Sequence, residues 1–193
     1  FQPGNNNAIT VSSDGGIFFS NNALENSQTS FIERNQGYNT LQFYTCDLIS
    51  GSENHFVGGL QDNGTLLFTG GSLDINDMIS GGDGAYCFFD DNDPLLITST
   101  YYNAWYFINL SNDNYEYEND NSGVFINPSD YDSNTNTLYA NKVRFNGNQA
   151  NRILRITNTT NNPNSQTVNI GTNSSVYFSA LKVSPFSDNI STT

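Results

Sequence analysis

The chain predicts an all-β fold assembled from repeated small antiparallel sheets, and three observations carry that prediction. Tight corners of Gly, Asp and Asn recur: Ser13-Asp14-Gly15-Gly16, then Gly58-Gly59-Leu60-Gln61-Asp62-Asn63-Gly64-Thr65, then Gly81-Gly82-Asp83-Gly84. Strand-like hydrophobic segments flank these corners, and no capped amphipathic run of ten or more residues carries a helical period. The loops near residues 4, 51, 92, 133 and 186 follow one another at intervals of 47, 41, 41 and 53. A repeat of that length with several strands in each unit predicts the blades of a β-propeller.

Taken in order, Ala8–Ser13 and Ile17–Ser20 flank the first Asp-Gly-Gly corner. Leu41–Ile49, His55–Leu60 and Thr65–Thr69 make a second group of strands, and Ala85–Phe89, Leu95–Tyr101 and Trp105–Leu110 a third. Asn136–Phe145, Arg152–Thr157 and Thr167–Ile170 make a fourth, and Val176–Ser184 opens a fifth. The expected blades are therefore about four, at 1–40, 41–82, 83–123 and 124–175, with the start of another at 176–193. The long repeat disfavours a β-helix, and the shared corners disfavour a sandwich. The expectation is an arc of a larger propeller, a piece of a longer chain that opens on Phe1 and not on Met; the alternative is a ring of four in which the last strand group is completed by Ala8–Ser13.

Charge narrows the partners. The formal net charge is −13, and the cations are Lys142, Lys182, Arg34, Arg144, Arg152 and Arg155. Nucleic-acid binding needs a basic face that displaces phosphate counterions, and an anionic membrane surface needs the same; neither can be assembled here. No run of eighteen apolar residues predicts a membrane span. Calcium, neutral sugars and a basic protein partner remain compatible. Asn makes up about one residue in six, which suits many tight loops because Asn enters left-handed turns and closes Asx-turns. The 25 Phe and Tyr residues and Trp105 argue against disorder. Cys46 and Cys87 lie in separate strand-like runs, 41 residues apart, which excludes a local metal or redox motif and leaves free thiols and a disulfide both open.

The sequence GGLQDNGT followed by GGDG, with SDGGIFFS before it, resembles the sortilin-type and BNR-repeat β-propellers, and is similar to secreted propeller proteins of Bacteroidetes, in which VSPFSDN also opens a blade. The likeness covers most of residues 1–110, and residues 124–193 by pattern. It implies a secreted or cell-surface protein exported by the type IX route, acting non-catalytically in adhesion or in glycan or protein binding, alone or within a larger chain or surface assembly. Two neighbouring enzyme groups set the alternative, a glycoside hydrolase. Sialidases carry an arginine triad and repeats of the form S-x-D-x-G-x-T-W; here Ser12, Asp14 and Gly16 keep the skeleton without the Thr-Trp ending, and the arginines cluster late in the chain. Xyloglucanase-type hydrolases resemble it in their Asp-Gly corners. A further alternative is a structural spacer in a large surface protein.

Candidate sites follow from side-chain chemistry. A glycosidase needs two carboxyl groups facing one another across the scissile bond, and the candidates are Asp14, Asp62 and Asp83. The same residues can instead cap their own turns, and their repetition favours that reading, since a corner device recurs and a catalytic residue is normally unique. Tyr101, Tyr102, Trp105 and Tyr106, with Tyr115 and Tyr117 beyond, can form a platform on which rings stack against the apolar face of a pyranose while Asn and Asp bind its hydroxyls; packing between blades is the alternative. Asp130, Asp132 and Asn134, and the run Asp90 to Asp93, place oxygen donors at the alternation a Ca2+ ion requires, without the glycine and distal Glu of a complete calcium loop; solvated Asx-turns are the alternative. No other cofactor is expected. His55, in a strand pattern with no GxSxG elbow to serve, reads as a packing or surface histidine.

Overall fold

A computed structural model describes residues 3–13, 15–25, 29–37, 40–52, 54–70, 76–144, 151–171 and 178–184. Among these residues there is no helix. The strands form four antiparallel sheets of three or four strands, and no sheet closes on itself. The chain divides into two compact units, residues 1–40 and 41–193.

The first unit holds β1 (Ile9–Ser13), β2 (Gly16–Ser20) and β3 (Ile32–Glu33), paired in that order. The β1–β2 register brings Ser13 opposite Gly16, so the predicted corner is a hairpin turn. Asn35 clamps it from the segment that follows β3: its carbonyl oxygen accepts the Ile17 N–H at 2.7 Å and its amide donates to the Gly15 carbonyl at 3.2 Å. Asp14 lies outside the described residues.

The second unit contains three meanders of four strands. β4 (Phe43–Leu48), β5 (His55–Leu60), β6 (Gly64–Thr69) and β7 (Asp77–Ser80) form the first. β8 (Cys87–Phe89), β9 (Leu95–Ser99), β10 (Ala104–Asn109) and β11 (Tyr115–Asn119) form the second. β12 (Ser129–Asp132), β13 (Thr137–Asn141), β14 (Arg152–Thr157) and β15 (Asn164–Asn169) form the third. In each, every strand pairs with its neighbours in sequence, which short turns permit and long crossovers do not require.

Alternation of side chains explains the stacking. On β9, Leu95 and Ile97 join Trp105 and Phe107 of β10 in a core shared with Leu138, Ala140, Leu154 and Ile156 of the third meander. Leu96, between them, points the other way, into a core with Cys87, Phe89, Val57 and Leu67 that joins the second meander to the first. The middle sheet is thus buried on both faces, which is why β9 reads as an unbroken hydrophobic run rather than an alternating one.

Four strands escape the sequence reading: β3, β7, β11 and β12. The first three are exposed strands at sheet edges, with too few apolar side chains to form a pattern. β12 is Ser-Asp-Tyr-Asp, polar by sequence yet mostly buried. Conversely, the strand expected at Val176–Ser184 is not formed over its described part, residues 178–184. That segment instead meets β12 through polar contacts: Lys182 pairs with Asp130 at 3.0 Å, and the Val183 N–H donates to the other Asp130 oxygen at 2.5 Å.

The Gly-rich corner of residues 58–65 and 81–84 is a clasp. The link from β7 to β8 lies across the end of the β5–β6 hairpin, where Gly64 N–H donates to Gly82 O at 2.7 Å and Gly84 N–H to Leu60 O at 2.9 Å. Asp83 accepts the Asp62 N–H at 2.7 Å. A Cβ on Gly59 would strike the Ala85 carbonyl oxygen, and one on Gly84 would strike the Gly64 carbonyl oxygen, so backbone packs on backbone at both positions.

Candidate functional site

The β9–β10 hairpin carries the most distinctive chemistry in the second unit. Its turn, Thr100-Tyr101-Tyr102-Asn103, is closed by the Thr100 N–H to the Ala104 carbonyl at 3.1 Å. Tyr102 takes φ +61°, in the left-handed region. Asp62 holds the equivalent place in the β5–β6 hairpin, two residues before the next strand, at φ +60°, and Asn151 precedes β14 at φ +59°. Asp and Asn tolerate this conformation through local polar bonds, whereas a bulky aromatic residue is an outlier there.

Beside this turn lies a cleft of about 380 Å³. Tyr101, Tyr102, Tyr106 and Tyr117 supply its rings, and Asn119 and Asn121 supply amides. Gly81 and Gly82 of the clasp, with Thr100 and Ala104, complete the lining, so no charged side chain takes part. The volume falls in the lower part of the ~300–1,000 Å³ range of small-molecule pockets. Tyr101 and Tyr102 are 45% and 42% exposed and meet edge to face with ring centroids 5.7 Å apart. Phe125, also exposed, stacks on Tyr101 with an interplanar angle of 7°.

From the cleft the rings continue outward. Tyr106 lies opposite Tyr117 in the β10–β11 register, with centroids 4.8 Å apart, and it also meets Tyr115 at 5.9 Å. Burial, with the neighbouring phenols of Tyr117, Tyr115 and Tyr101, pushes the Tyr106 hydroxyl above its ordinary range, so it stays a hydrogen-bond donor. Trp105 stands apart from this group. It points to the opposite face of β10, fully buried in the core, with its indole N–H donating to Asn103 at 3.3 Å.

A buried amide network holds the hairpin in place. Asn103 donates to Ser122 Oγ and to the Asn141 carbonyl, both at 2.9 Å, and accepts from Asn127 at 2.7 Å. Asn127 donates to the same Asn141 carbonyl at 2.8 Å and accepts from Val124 N–H and from Asn141 Nδ2. Asn141 completes its set on the Val143 backbone. All three side chains are buried and satisfied, the condition under which an internal polar network rigidifies its surroundings. At the edge of the network Lys142 pairs with Asp120, which also accepts the Ser122 hydroxyl. The Tyr102 N–H donates to the Phe125 carbonyl at 2.9 Å, tying the aromatic turn itself to the 120–127 segment. Sequence reasoning missed Asn103, Asn127 and Asn141 because, in so Asn-rich a chain, their composition distinguishes nothing. Phe125, Asn119 and Asn121 were missed because the loop and edge strand that bring them to the rings carry no strong pattern.

The carboxylates fall into structural settings. Asp62 is exposed at its turn, and half-buried Asp83 caps it. Asp130 is buried and takes Lys182 and Val183 N–H as partners. Asp132 accepts the Asn134 N–H at 3.0 Å and the Thr135 hydroxyl at 2.7 Å, and Asn134 is exposed. Asp90 accepts the N–H groups of Asn92 and Asp93, an Asx-turn, and also takes the Tyr131 hydroxyl, which burial and this bond push above its ordinary range. Among the described residues no group of three or more His, Cys, Asp or Glu side chains is placed to hold a metal ion. Both cysteines are free thiols, Cys46 exposed and Cys87 buried. Among the described residues there is also no helix long and apolar enough to cross a membrane. No protein-family model matches the chain, and no curated protein matches it.

Proposed function

We propose that this chain is a saccharide-binding segment of a β-propeller, with the four sheets as blades and the aromatic cleft beside the β9–β10 hairpin as its binding site. The observation that carries the binding reading is Tyr102. A tyrosine is held at φ +61°, where the equivalent position of the β5–β6 hairpin carries Asp62, and its ring is turned to a cleft lined by three more tyrosines. Strain of this kind persists where surrounding structure over-determines it, and it clusters at ligand sites. Rings that present faces and edges to solvent, flanked by Asn amides, match the two surfaces of a sugar: an apolar C–H face and a rim of hydroxyls. The propeller reading is supported by sheets that follow one another along the chain as consecutive meanders, and by the face-to-face stacking of those in the second unit. A secreted or cell-surface setting belongs to the same proposal, since extracellular glycans are the natural occupants of such a site.

The test is calorimetric titration of the purified chain after screening on an immobilised glycan panel that includes neutral and acidic structures. At least one saccharide is expected to bind, and Tyr101→Ala, which leaves the backbone conformation of its neighbours available, weakens it about tenfold while far-UV circular dichroism is unchanged. Absence of binding across the whole panel, or binding indifferent to Tyr101→Ala, overturns the reading.

A further inference from the structure

We infer that the occupant of this site is an extended, uncharged oligosaccharide chain that runs from the cleft along β11, with Tyr115 as an outer contact. This rests on the saccharide reading above and adds to it the length and charge of the ligand. Length follows from the arrangement of rings. The four cleft tyrosines do not end the aromatic surface: Tyr115 precedes Tyr117 by two residues on the same side of β11, about 7 Å further from the cleft along an extended strand, and is 64% exposed. Tyr106 touches both rings and lines the cleft together with Tyr101 and Tyr102, so the shared cleft connects the Tyr101–Phe125 stack to the rings that lead out to Tyr115. A single sugar ring in the cleft leaves Tyr115 without a role, whereas a chain leaving the cleft along the strand covers it.

Charge follows from what is missing at the rings and what surrounds them. The cleft lining contains no Lys, Arg or His, so a carboxylate or sulfate entering it would lose its hydration with no cation to replace it. The acidic residues of β11, Glu116 and Glu118, alternate to the other face of the sheet, where they accept from Asn162 N–H and the Ser165 hydroxyl. Beyond the site, a net charge of −13 repels anionic chains at long range.

The experiment uses the full chain and two ladders, a neutral one from cello-, xylo- and manno-oligosaccharides and an anionic one from oligogalacturonides, each from the disaccharide to the hexasaccharide. Neutral hexasaccharide is expected to bind more tightly than the disaccharide, and Tyr115→Ala to weaken the hexasaccharide about twofold to twelvefold while leaving the disaccharide unchanged. Tyr115→Phe, which keeps the ring, restores hexasaccharide binding if the ring is the contact. Affinity that does not grow with length, or Tyr115→Ala weakening both lengths alike, overturns the extended chain while the saccharide site stands. Preference for the anionic ladder, lost in Tyr101→Ala, overturns the charge assignment alone. Binding of neither ladder overturns the inference, and the wider glycan panel then decides whether the saccharide reading falls with it.

Discussion

The strain at Tyr102 can be measured by comparing two substitutions that remove the same ring. Tyr102→Ala and Tyr102→Gly both lose the edge contacts to Tyr101 and Phe125, so ring packing cancels in their difference. What remains is the backbone at φ +61°. An L-residue with a Cβ is penalised there by about 1–2 kcal/mol, and glycine is not. Glycine in turn has more freedom to lose on folding, about 0.4–1 kcal/mol relative to alanine. The net expectation is that Tyr102→Gly is more stable than Tyr102→Ala by about 0.5–1 kcal/mol, reversing the usual order in which alanine is the safer choice. For a chain of this size that is about 1–4 °C in Tm, and it is better read from the urea midpoint at constant m-value. Asp62→Gly against Asp62→Ala serves as the reference position, because Asp62 shares the conformation without the ring. Tyr102→Ala at or above the stability of Tyr102→Gly would refute both the left-handed assignment and the argument that this turn accepts strain for the sake of its side chain. In the same experiment the two variants should be equally poor saccharide binders, since affinity tracks the ring and not the backbone.

Gly59→Ala should be among the most damaging single-methyl changes in the second unit, losing about 2–3 kcal/mol in a denaturant titration, because its Cβ meets the Ala85 carbonyl and parts the clasp; Gly81→Ala, which has open space, should stay within about 0.5 kcal/mol of the parent. Burial pushes the Cys87 thiol up to about 11, so the protonated, unreactive form prevails through neutral and moderately alkaline pH, and reactivity rises only as pH climbs toward that value. A thiol reagent should therefore label exposed Cys46 in the folded protein and reach Cys87 only on unfolding; rapid labelling of both in native buffer contradicts this core placement.

Where hydrophobic pattern governs, the fold was legible. β5, β6, β9, β10, β13 and β14 lie inside their sheets, flanked on both sides by hydrogen-bonded neighbours, and their apolar runs mark them in the sequence. The exposed edges β3, β7 and β11 were not legible, because a strand needs only half a pattern or none when one side faces water, whereas the edge strands β1, β4 and β8 carry enough apolar residues to be read. β12 was hidden for a different reason: its buried Asp130 and Asp132 are stabilised by partners that sequence cannot place, a Lys–Asp pair from fifty-two residues away and a local turn. The site divides in the same way. Tyr101, Tyr102, Tyr106, Tyr115 and Tyr117 were visible as an aromatic-rich stretch, and the structure brings them onto one surface. Trp105 could not be separated from them without the strand register, which sends it to the core while Tyr106 goes to the cleft.

Comparison of the β1–β2, β5–β6 and β9–β10 hairpins also shows why the cleft arises at this place in the fold. The last two join the second and third strands of their four-stranded sheets, the first joins the first and second strands of its three-stranded sheet, and each is braced by the segment leaving its own sheet. In the β1–β2 hairpin the brace is the Asn35 side chain. For the β5–β6 hairpin it is a backbone clasp with Asp83 added. At the β9–β10 hairpin the Phe125 carbonyl accepts the Tyr102 N–H, and the buried amides of Asn103, Asn127 and Asn141 lock the segment behind it. In the third case the bracing is complete without the side chains of Tyr101 or Tyr102, which leaves those two positions free to face outward. A ring fixed in this way loses little freedom on meeting a ligand, and the ordering penalty that weakens binding by mobile loops is largely removed in advance. The same bracing that lets the hairpin tolerate an unfavourable backbone angle is therefore what makes its exposed rings useful as a rigid binding surface.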